Sequence, residues 1–553
     1  MRDLAAVRQE IDKIDEHLIT YLAKRQCLVE EAGLLKPKND TQAVNTQERV
    51  EEVIRIRNCC ERARAANSSP RIAEAIWRTM IGAFIALETE VNSQSKNRKE
   101  FFMRKILTAD TLTPILAYMR VQGEHKVILE SIPREKENAR FSIVAYNPVF
   151  EIKYENGEIT ENGQVITGDP LDYLNHVTVK GEATDLPFGG GAIGFVGYDM
   201  ISLYENIGDI PEDTIETPDM HFFVYESYLI FDHKTEKVYV VEDNIYSHRD
   251  NDATRQALGK VVKDLQTQAP NEFSPQELHP LTFKHHIEKE KFEQIVNTAK
   301  KLIREGDMFQ CVLSQRFSSP FEGDPLDYYR NLRVTNPSNY LYFYDFGDYQ
   351  IIGASPESLV SVKNGEVTTN PIAGTRPRGA NDAKDAALAK DLQADIKETA
   401  EHRMLVDLGR NDIGRISQNG TVKVTKYMEV EYFRYVMHLT SVVKGQLLPD
   451  VQSIDALKTT LPAGTVSGAP KIRAMKRIYE LEEEKRGVYA GAIGYLSATG
   501  DMDFAIAIRT MILKNQKAYV QAGAGIVYDS VAENEFYETI NKAKAMTRIG
   551  DSQ

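Results

Sequence analysis

The strongest constraint on the fold is an abrupt change in hydrophobic periodicity near residue 92. Before it, apolar residues recur at intervals of three or four and no strand pattern is present. The first such run consists of Leu4, Val7, Ile11, Ile14, Leu18 and Leu22. This period is typical of amphipathic helices. After residue 99, short β-rich runs such as 127–129 and 238–241 alternate with turn signals. The sequence therefore predicts two units of different structural class.

These patterns give explicit boundaries. We expect an all-α domain of three helices over residues 1–91 and a polar linker at 92–99. A large α+β domain is expected over residues 100–553. Its helices are predicted at about 288–304, 384–407 and 470–485. The helical arm alone is also compatible with a simple dimerisation device.

Charge and cysteine usage exclude several classes of protein. The net charge is −14, whereas a nucleic-acid-binding protein usually presents a basic face. No apolar run approaches the roughly 20 residues of a membrane helix. The four cysteines, Cys27, Cys59, Cys60 and Cys311, lack the spacing of a metal site or a disulfide framework. We therefore expect a reduced, cytoplasmic protein that contacts neither nucleic acid nor membrane.

Two pairs of carboxylates have the spacing of a shared helix face. Glu398 and Glu401 are three residues apart, and Glu535 and Glu538 repeat this spacing near the C-terminus. Hard cations such as Mg²⁺ prefer oxygen ligands of this kind. Solvated helix faces explain such pairs equally well, so the spacing alone leaves both interpretations open.

Three glycine-rich segments and one charged segment complete the chemical signals. The glycine-rich segments are 371–379, 464–471 and 523–525, and none is a Walker A or Rossmann sequence. Glycine allows backbone amides to approach an anion closely, although ordinary turns use it too. Together with Arg509 the segments favour a pocket for carboxylates. The segment 407–412 alternates in charge, which is typical of a structural ion-pair network.

The order of these motifs resembles that of a known enzyme family. The chain contains, in family order, segments 310–314, 353–357, 371–379, 398–402, 464–471 and 523–543. They are similar to the motifs of chorismate-binding enzymes over residues 100–553. The resemblance implies a large domain of β-sandwich and helices, with an N-terminal part at 100–285 and a chorismate-binding catalytic part at 286–553.

Two positions indicate the branch of that family. Isochorismate and salicylate synthases carry a water-activating lysine where this chain has Gln310, and aminodeoxychorismate synthase carries a nucleophilic lysine where it has Ala373. Alanine forms no covalent adduct. The chain thus resembles anthranilate synthase component I, which makes anthranilate and pyruvate from chorismate and ammonia. The alternative is a relative that stops at 2-amino-2-deoxyisochorismate without lyase activity.

The resemblance also implies a set of site residues. Mg²⁺ would be held by Glu398, Glu401, Glu535 and Glu538. Substrate would be bound by Gly374, Thr375, Tyr489, Arg509, Gly523, Ala524, Gly525 and Lys542. The catalytic residues would be Glu357, His402, Gln310 and Thr465. Glu357 would protonate the leaving hydroxyl, which requires a raised pKa. His402 would serve pyruvate elimination, or it would only support its neighbours by hydrogen bonding.

Two further expectations concern ammonia supply and feedback. No Cys-His-Glu glutaminase pattern is visible, so ammonia would come from a separate glutamine amidotransferase subunit. The family has a tryptophan feedback site, whose elements here would be Leu129, Glu130, Ser131, Asn336, Pro337 and Tyr340. The second element departs from the usual family sequence at Asn339 and Leu341, which leaves the feedback ligand open.

The N-terminal arm resembles all-helical chorismate mutases and the related isochorismate-pyruvate lyases. The residues that would form its site are Arg8, Arg25, Lys36, Arg49 and Glu88. Arg8 and Arg25 are 17 residues apart, or roughly 25 Å along one helix, too far to bind one small dianion together. The family solves this with an intertwined dimer, so a homodimer through this domain is expected.

Three interpretations of the arm stay open. It is an active mutase that makes prephenate, a sensor that binds chorismate or prephenate, or a non-catalytic dimerisation module. Glu88 stands where most mutases have a glutamine that donates to the ether oxygen, and a glutamate does so only when protonated. A lyase acting on isochorismate is disfavoured, because Gln310 indicates that the partner domain does not make that compound.

Overall fold

The computed structural model describes residues 103–131, 140–181, 184–268, 280–432 and 436–548, together with positions 69, 79, 80 and 278. The chain divides into two compact units, Met1–Met103 and Arg104–Gln553. The account below concerns the second unit. The helices predicted for residues 1–91 and the linker at 92–99 lie outside the described residues, apart from those isolated positions. So do the predicted mutase residues Arg8, Arg25, Lys36, Arg49 and Glu88.

The strands of the second unit are short and numerous, as their alternating sequence predicts. In chain order they are β1 (Met103–Thr108), β2 (Val127–Glu130), β3 (Phe141–Ala145), β4 (Phe150–Glu155), β5 (Glu158–Glu161), β6 (Gln164–Ile166), β7 (Gly191–Val196), β8 (Met220–Tyr225), β9 (Ser227–Asp232), β10 (Lys237–Glu242), β11 (Lys284–His285), β12 (Gln310–Pro320), β13 (Tyr340–Asp345), β14 (Tyr349–Ser355), β15 (Ser358–Lys363), β16 (Glu366–Thr369), β17 (Ile372–Pro377), β18 (Lys423–Tyr432), β19 (Val436–Gln446), β20 (Gly468–Ala469), β21 (Ala492–Ser497), β22 (Met502–Ile506), β23 (Thr510–Lys514) and β24 (Lys517–Ile526).

Helices lie between these strands and carry much of the site. They are α1 (Pro114–Arg120), α2 (Pro170–Thr178), α3 (Asn251–Leu265), α4 (Lys289–Arg304), α5 (Pro325–Thr335), α6 (Asp382–Ala394), α7 (Ile396–Gly414), α8 (Ser453–Thr460), α9 (Lys471–Leu481) and α10 (Ala532–Thr547). Short 3₁₀ helices occur at Tyr198–Leu203 and Gly464–Val466. Among the described residues, no helix is long and apolar enough to cross a membrane.

The described strands form two antiparallel sheets of twelve strands each. The first has the order β1-β10-β9-β3-β2-β13-β14-β23-β24-β12-β11, with β20 paired to β12. The second has the order β17-β19-β16-β15-β22-β21-β7-β8-β4-β5-β6, with β18 paired to β19. The central strands β7, β8 and β9 are buried along their whole length, which explains their nearly continuous apolar sequences. This mixed α+β architecture with large antiparallel sheets confirms the predicted fold class.

Local sequence explains where the helices begin and end. The helix predicted at about 384–407 is in fact two helices, α6 and α7, separated at Asp395. This residue is extended, and its carboxylate accepts hydrogen bonds from the amides of Lys397 and Glu398. Asp395 therefore acts as an N-cap and starts a new helix. The α4 helix matches its predicted bounds, and it is amphipathic with Phe292 and Val296 fully buried.

Two helices bring the predicted carboxylates to the sheets. The α7 helix packs against β17 and β19, whereas α10 packs against β24 and α4. These contacts lie beside a large apolar core that includes Phe292, Ile413 and Phe536. Because the core fixes both helices, the carboxylates on their faces are held at defined positions relative to β12, β17 and β24.

Candidate active site

Backbone and glycine form one wall of the site. β24 pairs with β12, so that Gly525 lies opposite Val312 and Gly523 opposite Ser314. A Cβ atom on Gly525 would lie 2.8 Å from Nε2 of Gln310, and one on Gly523 would lie 2.8 Å from the Tyr489 hydroxyl. Only glycine keeps this wall open to a ligand. The segment 523–525, predicted as a loop, is therefore a strand with the same close-approach function.

A buried arginine supports this wall from behind. Arg486 is almost fully buried, and its guanidinium donates to the carbonyl oxygens of Val312 and Val466 at 2.7 Å each. The Glu482 carboxylate neutralises it in an ion pair of 2.6 Å. Such a buried pair is costly to break, because one charge would be left uncompensated. The sequence analysis missed it, since a pair at i, i+4 carries no signal of burial.

Glu357 lies where the chain passes from the first sheet to the second, between β14 and β15. Its side chain is half-buried beside Thr465. Burial raises the pKa of Glu357 to about 7, opposed by the Thr465 hydroxyl and by the positive charges of Arg509 and Lys542. Apart from this interaction, the buried Thr465 Oγ1 makes no hydrogen bond within the described part of the chain. A carboxyl group with this pKa is suited to general acid chemistry.

Two cations approach this acid. The Arg509 side chain is exposed in the cleft, and its backbone has a φ of 50° and accepts a hydrogen bond from the Ala354 amide at 3.0 Å. Desolvation lowers the pKa of the Arg509 guanidinium, and the negative charge of Glu357 opposes this shift. Lys542 on α10 donates to the carbonyl oxygen of Gly523 at 3.0 Å. Arg509 and Lys542 therefore form a positively charged site beside the acid Glu357. Such a site suits a carboxylate ligand.

The four predicted metal ligands influence one another across α7 and α10. Burial and the charges of Glu398 and Glu538 raise the pKa of Glu401. Burial and the charge of Glu538 likewise raise the pKa of Glu535, against a hydrogen bond from Ser530. Lys542 pairs with Glu538 at 2.8 Å. The four carboxylates thus share one negative field, which a cation would relieve.

Those carboxylates do not converge on a single point. Within the described ranges, no three side chains of His, Cys, Asp or Glu are grouped closely enough to hold a metal ion. Glu398 is instead engaged by Arg376, whose Nη1 lies 3.4 Å from Oε1. The same guanidinium pairs with Asp391 and Asp395 at 2.7 Å each. The all-oxygen donor set still fits the chemistry of a hard cation, since carboxylates on α7 and α10 lie close enough to raise one another's pKa.

The segment 371–379 was predicted as an anion-binding loop, but most of it forms β17. The register between β17 and β19 shifts between Ala373 and Arg376, and Gly374 has a φ of +70°. This is a bulge, which redirects the backbone locally. A Cβ on Gly374 would lie 3.2 Å from Oε2 of Glu398. The segment therefore brings both the backbone at Gly374 and the ion-paired side chain of Arg376 to Glu398.

The bulge is held by a histidine that the sequence analysis missed. His438 on β19 donates from Nδ1 to the carbonyl oxygen of Gly374 at 2.8 Å, and Thr375 Oγ1 lies 3.2 Å from the same nitrogen. This bond fixes the tautomer and leaves the lone pair on Nε2. Burial and the nearby charge of Arg509 lower the pKa of His438, against opposing effects of Gly374 and Glu431. A half-buried neutral imidazole at this position can act as a base.

The structure places His402 differently. Its ring is fully buried, and Nε2 lies 2.6 Å from Ser441 Oγ, which also accepts from the Met428 amide. Burial lowers the pKa of His402 to about 4. A ring enclosed in this way supports α7 against β19 and does not face the cleft. Of the two roles considered for His402, its position favours support by hydrogen bonding.

The remaining predicted residues fall into two groups. Gln310, Tyr489 and Ala524 are buried in the wall, whereas Thr375 is exposed on the bulge of β17. In the segment 407–412, the exposed pair of Asp407 and Arg410 at 3.2 Å matches the predicted ion-pair network.

Most of the predicted feedback residues border a cavity of about 970 Å³ between the two sheets. Five of the six line it, namely Leu129, Glu130, Ser131, Pro337 and Tyr340. Asn336 does not, because its side-chain amide donates to the carbonyl oxygen of Ala545 at 3.0 Å. Glu130 is bound by Arg333 and by the Tyr329 hydroxyl at 2.7 Å.

Comparison with known proteins shows which families the chain matches. Residues 124–548 match the chorismate binding enzyme family, and residues 7–89 match chorismate mutase type II. The first match covers most of the chain and defines the class of protein, an enzyme that binds chorismate. The second falls on the segment whose periodicity predicts helices.

Individual relatives narrow the class further. Anthranilate synthase component 1 of Lactococcus lactis is 54% identical over 457 residues, which cover 81% of this chain and all of the relative. The crystal structure of anthranilate synthase component I from Streptococcus pneumoniae is 71% identical with a TM-score of 0.72, covering 80% of this chain and 99% of that one. The chain therefore belongs to the anthranilate synthase component I family of chorismate-binding enzymes. The menaquinone-specific isochorismate synthase of Escherichia coli shares the fold at 19% identity and a TM-score of 0.64, over 81% and 94% of the two chains.

Proposed function

We propose that the large domain converts chorismate and ammonia into anthranilate, pyruvate and water. The observation that carries this proposal is the juxtaposition of Glu357, an acid with a pKa of about 7, with Arg509 and Lys542 beside a glycine-lined wall. Chorismate has two carboxylates and a hydroxyl that must leave. The site offers cations for the former and a proton for the latter.

Binding uses both sides of the cleft. Arg509 and the amides of 523–525 would hold one substrate carboxylate, with Tyr489 closing the wall behind it. Glu398, Glu401, Glu535 and Glu538 would hold Mg²⁺. When bound, this ion would supply positive charge to the second carboxylate and relieve the repulsion among the four side chains.

The first chemical step needs a proton at the leaving oxygen. Ammonia forms a bond to C2, the ring double bonds shift, and the C4–O bond breaks as Glu357 transfers its proton to that oxygen. Water leaves, and the glutamate becomes a carboxylate. Gln310 at the wall can accept and donate hydrogen bonds but cannot deprotonate water, which favours ammonia as the nucleophile.

The second step removes the C2 proton. His438 is the base that its position supports, because Nδ1 is committed to Gly374 and Nε2 carries the lone pair. The C3–O bond breaks, the ring becomes aromatic, and the methylene carbon of the leaving group gains a proton to give pyruvate. A chain lacking this step would accumulate 2-amino-2-deoxyisochorismate. The geometry of His438 favours the complete reaction.

We propose further that the N-terminal domain isomerises chorismate to prephenate. The match of residues 7–89 to chorismate mutase type II supports this, as do Arg8, Arg25, Lys36 and Arg49. That reaction requires only a fixed conformer and cations near the ether oxygen. Sensing of chorismate or prephenate is the alternative, and Glu88 in place of glutamine favours it.

Ammonia would come from a separate glutamine amidotransferase subunit, and two copies of the chain would associate through the helical domain. Cys311, the cysteine that lies in the described part of the chain, is free and buried. It is consistent with the cytoplasmic location that we expect.

Product analysis tests the two activities together. The purified chain receives chorismate, Mg²⁺ and an ammonium salt, and a parallel sample contains EDTA. We expect anthranilate and pyruvate in equal amounts, lost with EDTA, and prephenate in both samples. Aminated intermediate without pyruvate would assign the chain to the other branch. Arg25→Ala separates mutase from sensor, because it would abolish prephenate in the first case and change only the response of anthranilate formation in the second.

A further inference from the structure

A small cavity of about 50 Å³ borders Glu357. It is also lined by Asn370 and Thr465 and by Gly409 and Asp412 of α7. About 15 Å³ of such space is enough for one water molecule. The cavity therefore has room for a short chain of water molecules. It also includes part of the charged segment 407–412, which the proposed reaction does not otherwise use.

The polar atoms that face this cavity call for hydrogen-bond partners. Asn370 Oδ1 is buried without a hydrogen-bond partner among the residues that the structure describes, and the buried Thr465 Oγ1 has none there beyond its interaction with the Glu357 carboxyl. Buried polar atoms in proteins are nearly always paired with protein or ordered water. Two such atoms, two lining carboxyl groups and sufficient volume make a site that water would occupy.

Asp412 lines the same cavity as Glu357. Its carboxylate pairs with Lys471 at 2.9 Å, and each side chain keeps 12% of its surface exposed. Lys471 also donates to the carbonyl oxygen of Thr460 at 3.3 Å. Asp412 thus touches the cavity on one side and the solvent boundary on the other.

The proposed reaction requires a supply of protons to Glu357. In the proposed reaction, each turnover converts Glu357 from acid to carboxylate. Glu357 must regain a proton before the next substrate can react. We infer that Asp412 is a relay residue that reprotonates Glu357 through water in this cavity, an inference that rests on the proposed function of Glu357.

The protons balance over one cycle. Glu357 gives its proton to the C4 oxygen, which leaves as water. A cavity water then protonates the Glu357 carboxylate and takes a proton from Asp412, and Asp412 takes one from solvent. The proton released when ammonia becomes an amine returns to solvent, so the cycle has no net change.

Positively charged groups act on both carboxyls. Arg509 and Lys542 act on Glu357, and Lys471 and Arg415 act on Asp412. Burial raises the pKa of Asp412, and the charges of Lys471 and Arg415 oppose this shift. The cations at both ends stabilise a carboxylate left after transfer.

A rapid-quench experiment tests the relay. Asp412→Asn is mixed with chorismate, Mg²⁺ and ammonium chloride near pH 7, and the sum of aminated intermediate and anthranilate is followed. Because Glu357 starts protonated in much of the population, we expect a burst approaching one product per site, followed by a steady rate at least about tenfold below the wild type. Asp407→Asn, an exposed carboxylate on the same helix, is the matched control and should show the wild-type rate without a burst.

Each other outcome has a definite meaning. If the first and later turnovers of Asp412→Asn are slowed equally, its role is structural, and if neither is slowed, the relay does not exist. Should the single variant fold poorly, Asp412→Asn/Lys471→Met removes the unpaired lysine and must give the same burst. If the wild type forms no aminated product, the proposed function fails, whatever Asp412 does.

Discussion

Ile506 and Glu357 are joined by a backbone hydrogen bond of 3.0 Å, from the amide of Ile506 to the carbonyl oxygen of Glu357. Ile506 ends β22 in the second sheet, whereas Glu357 directly follows β14 of the first sheet. The Ser355 hydroxyl adds a bond of 2.7 Å to the carbonyl oxygen of Ile506. The acid is therefore fixed at the crossing between the sheets, where a half-buried carboxyl is held against the substrate cleft.

This position predicts the pH dependence of amination. Because the pKa of Glu357 is about 7 and only the protonated form donates, kcat/KM should fall above pH 7, about tenfold per pH unit. The assay uses the free ammonia concentration calculated at each pH, since ammonia itself titrates. Glu357→Gln should lose at least about a hundredfold in rate across the range. An unchanged profile in that variant would assign the ionisation to another group.

The raised pKa of Glu357 also predicts that the folded chain loses stability as this group ionises. The pKa of Glu357 is about 7 in the folded chain against 4.5 for an ordinary glutamate, so the folded state binds the proton more tightly. Its contribution to stability is complete below pH 4.5 and is lost as the pH rises through 7. Glu357→Gln should thus unfold at a higher denaturant concentration than the wild type at pH 8, by roughly 1–2 kcal/mol after allowance for half-exposure. At pH 4 the two should be alike.

The two histidines predict separable defects. His438→Ala should make the aminated intermediate but release little pyruvate, since the base at the Gly374 bulge is lost. His402→Ala should lower the free energy of unfolding by roughly 1–3 kcal/mol, because it removes the hydrogen bond to the buried Ser441 hydroxyl, which then keeps only the Met428 amide as a partner. The ratio of pyruvate to total aminated product, measured by mass spectrometry, separates these effects. A low ratio in His402→Ala with a normal ratio in His438→Ala would reverse the assignment.

The carboxylate pairs could be predicted from sequence because their signal is local. Spacing of three residues places two side chains on one helix face wherever the helix packs. His438 gave no such signal, since a single histidine in a strand is defined only by the strand opposite it. The ion pair between Glu398 and Arg376 could not be predicted from the sequence either. It depends on a bulge between β17 and β19, which no periodicity shows.

The glycine-rich segments also show that local sequence does not reveal what a paired strand contributes. They were predicted as loops, because glycine most often marks turns. Two of them are strands in which glycine serves close approach instead, and this depends on which side chains the paired strand presents. The resemblance to chorismate-binding enzymes predicted site residues in these segments without predicting their local structure.

Alanine at the two wall glycines should separate a loss of activity from a loss of stability. A Cβ on Gly525 would meet Nε2 of Gln310, the end of a flexible side chain, whereas one on Gly523 would also meet the fixed carbonyl oxygen of Leu313 at 3.0 Å. Gly525→Ala should therefore displace Gln310 with little change in the free energy of unfolding, and amination should slow. Gly523→Ala should lose stability as well, by roughly 1–3 kcal/mol.

Gly259 provides the control for both variants. It lies exposed within α3, and nothing is within 4 Å of a Cβ placed there. Gly259→Ala should raise the free energy of unfolding by up to about 1 kcal/mol, because alanine is the better helix former, and leave amination unchanged. Denaturant unfolding and initial rates on the same preparations test all three. A slowed Gly259→Ala, or a Gly525→Ala with normal rates, would show that the wall does not require glycine for close approach.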